Sequence, residues 1–472
     1  MKFRSVVTGS TSSTKVGHEL AAELLHEPIS DWRAESREFF RKLTVREFQA
    51  DGLEVMRRGL QLVAQSVVDD NGAAIDQVAV AGWDAAAHDV VTVEWRGTGS
   101  SVPLEELGTK AAAWVDQHLA EPGFLDAVTQ TPALTGNSGM LVALAAGAEC
   151  APTRLWVSAG GSLAPVMRPN PAKWRALLSA ASADARVFVP IRRSALVDGV
   201  VPTTIDGICE VAGLDVTEDV ALIAGWISSL QPHVNDQSPM ILAGFGYSAG
   251  ASHVMLQAAQ DALMAVASDR VSHLVLAWLG TPTDSLLTPR SVFEDRLERH
   301  SGRSAITKIR DAVLDGIGGY LSRAPQGDIV EAGGRQYALL DCSADMQGPN
   351  YLIAKRSQRW RAMVAAASGI KVAYCLTPAA RTHSVLDFKI LRATYRGAPR
   401  FGVVPFTVAD TQQVTARLLL SFIHSPLHSD DVSDIYLARA VHGGLWRCPY
   451  EPSAIWKPAT ILGWPALLRR GF

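Results

Sequence analysis

The stretch that decides the fold is QYALLDCS (336–343), YLIAKRSQRWRAMVAAA (351–367) and IKVAYCLTP (370–378), read as strand, helix and strand. The two outer runs are short, apolar and rich in β-branched and aromatic residues, whereas the middle one is long enough for a helix. Two strands joined by a helix that crosses one sheet face lie parallel. Working upstream, PMILAGFG (239–246) reads as a strand ending in a glycine turn, 250–266 as a helix and VSHLVLAWLG (271–280) as a strand. A polar helical stretch fills 292–322, and VADTQQVTARLLLSFI (408–423) is a late helix.

The first half reads in the same alternation. Strands are expected at 4–9, 77–82, RLWVSAGG (154–161) and ARVFVPI (185–191). Helices are expected at 16–25, 45–68, 104–119, 173–181 and 216–230. Both halves end in helix, strand, long loop and a helix that opens at Val-Thr (216–217) or Val-Ala-Asp (408–410). This weak internal repeat predicts an α/β protein of two tandem Rossmann-like, doubly wound parallel-sheet units, covered by helices on both faces. The units would be 1–235 and 236–430, joined near QPHVNDQSP (231–239), with a short C-terminal tail at 431–472.

Composition narrows the function. Of 472 residues, 48% are hydrophobic and 19% charged, which suits a packed globular chain. The net charge is -3, so there is no basic surplus to neutralise phosphates, and nucleic acid is not an expected partner. Five scattered cysteines form no CxxC pair and no metal-spaced cluster, so no metal site is expected and the thiols read as reduced. The chain opens without an apolar leader and contains no run long enough for a membrane helix, which points to a cytoplasmic protein.

Three motifs carry chemistry. The turn at Thr8, Gly9, Ser10, Ser12, Ser13 and Gly17 lies between a strand and a helix, where backbone amides and the helix N-terminus favour a pyrophosphate. An ordinary Ser/Thr-capped turn has the same appearance. Tyr351 and Lys355 share one helix face, and a lysine beside a tyrosine lowers the phenol pKa for proton exchange with a carbonyl or alcohol. Ser343, at the end of the preceding strand, would hold the same oxygen. Gly246-Tyr247-Ser248-Ala249-Gly250 is a G-x-S-x-G turn between a strand and a helix. Ser248 would be a nucleophile there, with Asp345 and His383 following in acid–base order. Alternatively, the glycines serve a tight turn and Ser248 caps a helix.

The segment from Gln336 to Pro426, with YLIAK, Pro378, Thr382 and the helix at Val408-Ala409-Asp410, resembles the short-chain dehydrogenase/reductase superfamily. The opening TGSTSSTKVG (8–17) resembles that superfamily's nucleotide turn in the longer form of type I fatty acid synthase ketoreductases. This resemblance implies an NAD- or NADP-dependent oxidoreductase that reduces a carbonyl, with a 3-oxoacyl thioester as the guess at substrate. Tyr351 would be the acid/base, Lys355 its helper and a ribose ligand, and Ser343 the substrate-oxygen ligand. The G-x-S-x-G turn resembles α/β-hydrolases and thioesterases, which makes a hydrolase the second reading. A third is a degenerate, non-catalytic reductase pair that binds an acyl chain or partner. Expected partners are a small-molecule or acyl-thioester substrate and, in a homo-oligomer, further copies of the chain. The Trp- and Pro-rich tail would pack on its own domain or face a partner or membrane surface.

Overall fold

The computed structural model describes residues 4–5, 10–85, 88–317, 319–344, 347–427 and 433–464. Among the described residues twelve strands run in chain order: β1 (Arg4–Ser5), β2 (Val67–Val68), β3 (Val90–Trp95), β4 (Met140–Leu144), β5 (Ser162–Val166), β6 (Val187–Arg192), β7 (Met240–Gly244), β8 (Leu274–Gly280), β9 (Ser285–Pro289), β10 (Asp328–Ala332), β11 (Arg335–Asp341) and β12 (Lys371–Leu376). Seven of them form one sheet in the order β12-β8-β7-β4-β5-β6-β3. All pairings in it are parallel except β3 against β6 at the edge.

The α/β class is as expected, but the strands assigned to two tandem units are hydrogen-bonded into this one sheet. Met140–Leu144 lies beside Met240–Gly244 along its whole length, so the expected join at 231–239 is only the lead into a central strand. The sheet is still doubly wound. From β4 the chain steps outward through β5 and β6, then returns to β7 on the other side and steps out through β8 and β12.

Alternation on the strands explains the two helical layers. Met140, Val142, Leu144, Met240 and Leu242 belong to one buried cluster; Leu141, Ala143, Ile241 and Ala243 belong to another on the opposite face. Side chains on successive residues point to opposite faces, so strands that are apolar throughout must be covered twice. Helices Val220–Ser229, Ala251–Arg270 and Gly348–Ala367 feed residues to the first cluster, and Val408–His424 to the second.

Several sequence expectations shift. Residues 77–82 lie in a helix, Ile75–Asp84, and 154–158 in the helix Thr153–Ser158, with the true strand starting at Ser162. The run at 336–341 is β11, which pairs antiparallel with β9 and β10 in a separate three-stranded sheet. That sheet and helices Arg290–Ser301 and Ala305–Asp315 form an insertion between β8 and Gly348–Ala367. The described tail contains the helix Pro452–Gly463, which packs on Lys389–Gly397. Glycines make that contact close: a Cβ on Gly397 would stand 1.8 Å from Ala459 O, and one on Gly463 1.9 Å from Ala393 O. Among the described residues no helix is long and apolar enough to cross a membrane.

Candidate functional site

A cleft of about 420 Å³ opens at the carboxyl ends of β4, β7, β8 and β12. Strand order reverses between β4 and β7, and in open parallel sheets ligands bind in the crevice at that reversal. The loop after β4 contributes Ala148, Glu149 and Cys150, and the turn after β7 contributes Phe245, Gly246 and Tyr247. Leu391, Tyr395 and Trp456, from the helices that follow β12 and from the tail, close it with an apolar wall.

Tyr351 and Lys355 both line this cleft. They stand at the start of Gly348–Ala367, one turn apart. The Tyr351 hydroxyl donates to Thr281 Oγ1 at 3.0 Å, and Thr281 Oγ1 lies 2.8 Å from Thr283 Oγ1. Gln347 Nε2 donates to Thr283 Oγ1 at 2.7 Å and completes the chain. Both threonines follow β8 directly, so the strand end aims them at the tyrosine.

Lys355 is buried, and its Nζ donates to Leu279 O at 2.9 Å and Gln358 Oε1 at 3.2 Å. An ammonium has three N–H donors, so one is left for a ligand oxygen in the cleft. Burial pushes the Lys355 pKa down to about 8. Burial also raises the Tyr351 pKa, against hydrogen bonds from Thr281 and Thr283 that lower it. The sequence expectation was a phenol made more acidic by the lysine. Desolvation reverses that sign, and the hydroxyl keeps its proton at neutral pH.

Ser343 lies elsewhere. It follows β11 in the inserted sheet, and its hydroxyl donates to Asp341 Oδ1 at 2.5 Å. The insertion displaced the expected partner: Thr281, seventy positions before Tyr351, holds the phenol instead. A threonine pair directly after the strand VSHLVLAWLG was the available signal.

Of the N-terminal turn, Thr8 and Gly9 lie outside the described residues; Ser10, Ser12, Ser13 and Gly17 lie in the helix Ser10–Leu20. Among the described residues β1 pairs with β2 alone, and Gly17 serves close packing, since a Cβ there would overlap the Trp32 ring at 2.2 Å.

The glycine turn after β7 is likewise occupied by protein. Cβ atoms on Gly244 and Gly246 would stand 2.5 and 2.1 Å from the Gln260 amide, so these glycines admit a buried glutamine. Ser248 donates its backbone N–H to His253 Nδ1 at 3.3 Å. His383 is exposed and its Nδ1 contacts Glu149 Oε1 at 2.7 Å, while Asp345 lies outside the described residues. Among the described residues no hydrogen bond joins Ser248 to His383.

Beneath the cleft, Gly348–Ala367 is anchored by buried charge. Arg356 reaches Glu47 at 2.7 Å and Asp284 at 2.8 Å, and Arg359 reaches the same two carboxylates at 3.2 and 3.0 Å. Trp360 Nε1 donates to Glu47 Oε1 at 2.6 Å. For Cys150, in the cleft wall, burial with the Glu149 charge raises the pKa to about 11, which disfavours the thiolate. No His/Cys/Asp/Glu cluster among the described residues could hold a metal. No family model, no curated protein and no solved structure matches this chain, so the site is read from its own residues.

Proposed function

We propose that the chain is an NAD(P)-dependent oxidoreductase of the short-chain type that reduces a carbonyl, with a 3-oxoacyl thioester as candidate substrate. The observation that carries this reading is the Tyr351 hydroxyl, held 3.0 Å from Thr281 in a cleft at the strand-order reversal, with buried Lys355 one turn on. In this reading the carbonyl oxygen sits between Tyr351 and Thr281. Tyr351 gives its proton to that oxygen; burial keeps the proton on the resting phenol, and the adjacent Lys355 ammonium favours the phenolate that the transfer leaves behind. Thr281 orients the phenol, and Thr283 and Gln347 hold Thr281. Apolar Leu391, Tyr395 and Trp456 suit an acyl chain.

The residues present fit the nicotinamide-ribose end of such a cofactor, because Lys355 has an N–H to spare beside the cleft. A bound nicotinamide supplies the hydride. Among the described residues of the cleft wall Glu149 is the one that is acidic, on the loop after β4 where a pyrophosphate would pass. Titration of the chain with NADH and NADPH, followed by fluorescence or calorimetry, tests the proposal. Saturable binding of either is expected, and no binding at millimolar concentration would sink it.

Glu149, with Met167 Sδ packed so close that a Cβ on Gly147 would stand 2.6 Å from it, favours one second reading: a non-catalytic scaffold that binds an acyl chain or partner. That reading expects acyl-ligand binding with no response to either nucleotide.

A further inference from the structure

Beside the main cleft lies a second hollow of about 100 Å³, sharing the walls Tyr247, Gln347 and Tyr351 with it. Its volume is that of about three waters, the size of one phosphate or carboxylate group. The N-termini of two helices of 20 residues each, Ala251–Arg270 and Gly348–Ala367, meet at it, and neither has a side-chain cap. Two helix dipoles point there with the first-turn amides, except that Pro349 has no N–H and the His253 N–H is bonded to Gly250 O at 3.1 Å. The backbone turns into the helices at Gly250 (φ 59°) and Gly348 (φ 68°), and a Cβ on either would meet nothing within 4 Å.

A second observation points to a ligand. His253, which lines the hollow, is 1% exposed and receives the Ser248 amide on Nδ1. That bond places the ring proton on Nε2, which is buried and has no acceptor. Asn350 Oδ1, also in the wall, is buried without a donor. Among the described residues that line it none is acidic, and the Lys355 charge is felt at His253.

We propose that this hollow binds a monohydrogen phosphate group between the two helix N-termini. Its anionic oxygens accept from the helix amides and from His253 Nε2, and its P–OH donates to Asn350 Oδ1. The group is either free phosphate or the phosphoryl end of a larger ligand that extends past Tyr351. The inference does not depend on the reductase reading, since it concerns the chain with neither nucleotide nor carbonyl bound.

Calorimetric titration of the full chain with inorganic phosphate, at neutral pH and constant ionic strength in chloride, tests it. Saturable binding is expected, and Asn350→Asp should weaken it about tenfold or more by placing a carboxylate on the wall. The absence of saturation at millimolar phosphate, or undiminished binding by the variant, would overturn the proposal. If that variant does not fold, NMR of the native chain decides: phosphate should move the His253 Nε2 resonance, and an unmoved signal overturns the site. Phenyl phosphate separates the two sources, binding more tightly than phosphate if a larger ligand is held and more weakly if free phosphate is.

Discussion

Glu47, which caps the C-terminal end of the helix Trp32–Arg46, accepts a hydrogen bond from Arg356 Nη1 at 2.7 Å, and Arg356 immediately follows Lys355 on the helix that bears Tyr351. Both side chains are fully buried. A buried ion pair is weak evidence for net stability, but removing one partner leaves an uncompensated charge. Glu47→Ala should therefore cost about 3–5 kcal/mol in urea unfolding. A cost below about 1 kcal/mol would mean that water or Asp284 alone satisfies Arg356 and Arg359.

Tyr351→Phe should lower carbonyl reduction by about 10²–10⁴-fold and leave nucleotide affinity nearly intact. Thr281→Val removes the phenol's partner at 3.0 Å and should lower turnover while NAD(P)H binding holds. If Ser343→Ala lowers turnover as far as Thr281→Val does, the assignment of the oxygen ligand to β8 is wrong.

Lys355 gives a pH dependence with a definite sign. Its pKa falls from the 10.5 of a free lysine to about 8 in the folded chain, so the unfolded chain binds more protons between those limits. Stability rises with pH wherever the unfolded state binds more protons. The buried ammonium therefore costs stability below about pH 8, and that cost is relieved as pH climbs toward 10.5. In urea unfolding, the native chain should gain stability relative to Lys355→Met across this window. A constant difference would show that Lys355 is not desolvated.

Glu149→Gln removes the acidic group from the wall of the main cleft. NAD(P)H affinity should rise several-fold at low salt, and the gain should shrink as salt screens the carboxylate in the native chain. A loss of affinity would show that the carboxylate's hold on His383, at 2.7 Å, matters more for the cleft than its charge.

Much of the alternation was legible in the sequence, because β7, β8 and β12 are short apolar runs bounded by glycine or proline. What hid the true sheet was MLVAL (140–144), its central strand. Every residue in it is buried, so it shows no period of two, and it sits among alanines and glycines. Without that strand, the order appeared to restart at β7, and one sheet was read as two. That Tyr351 and Lys355 share one helix face was legible because helical spacing is local. Thr281 was missed because an insertion carrying its own sheet separates it from Tyr351, and proximity in the chain favoured Ser343. The hollow at Gly250 and Gly348 depends on two helix ends meeting in space, which no spacing records.

The pairing of Met140–Leu144 with Met240–Gly244 joins residues one hundred positions apart at the centre of the sheet. Closing so long a loop before any contact rewards it makes folding slow. The sheet cannot be completed from either side alone, so a chain that ends before residue 240 leaves β4 with an open, wholly apolar edge. Such edges recruit other chains. Expressed separately, residues 1–235 and 236–472 should aggregate, and mixing them during refolding should recover soluble material. Chaperone dependence during synthesis should peak while β4 waits for β7.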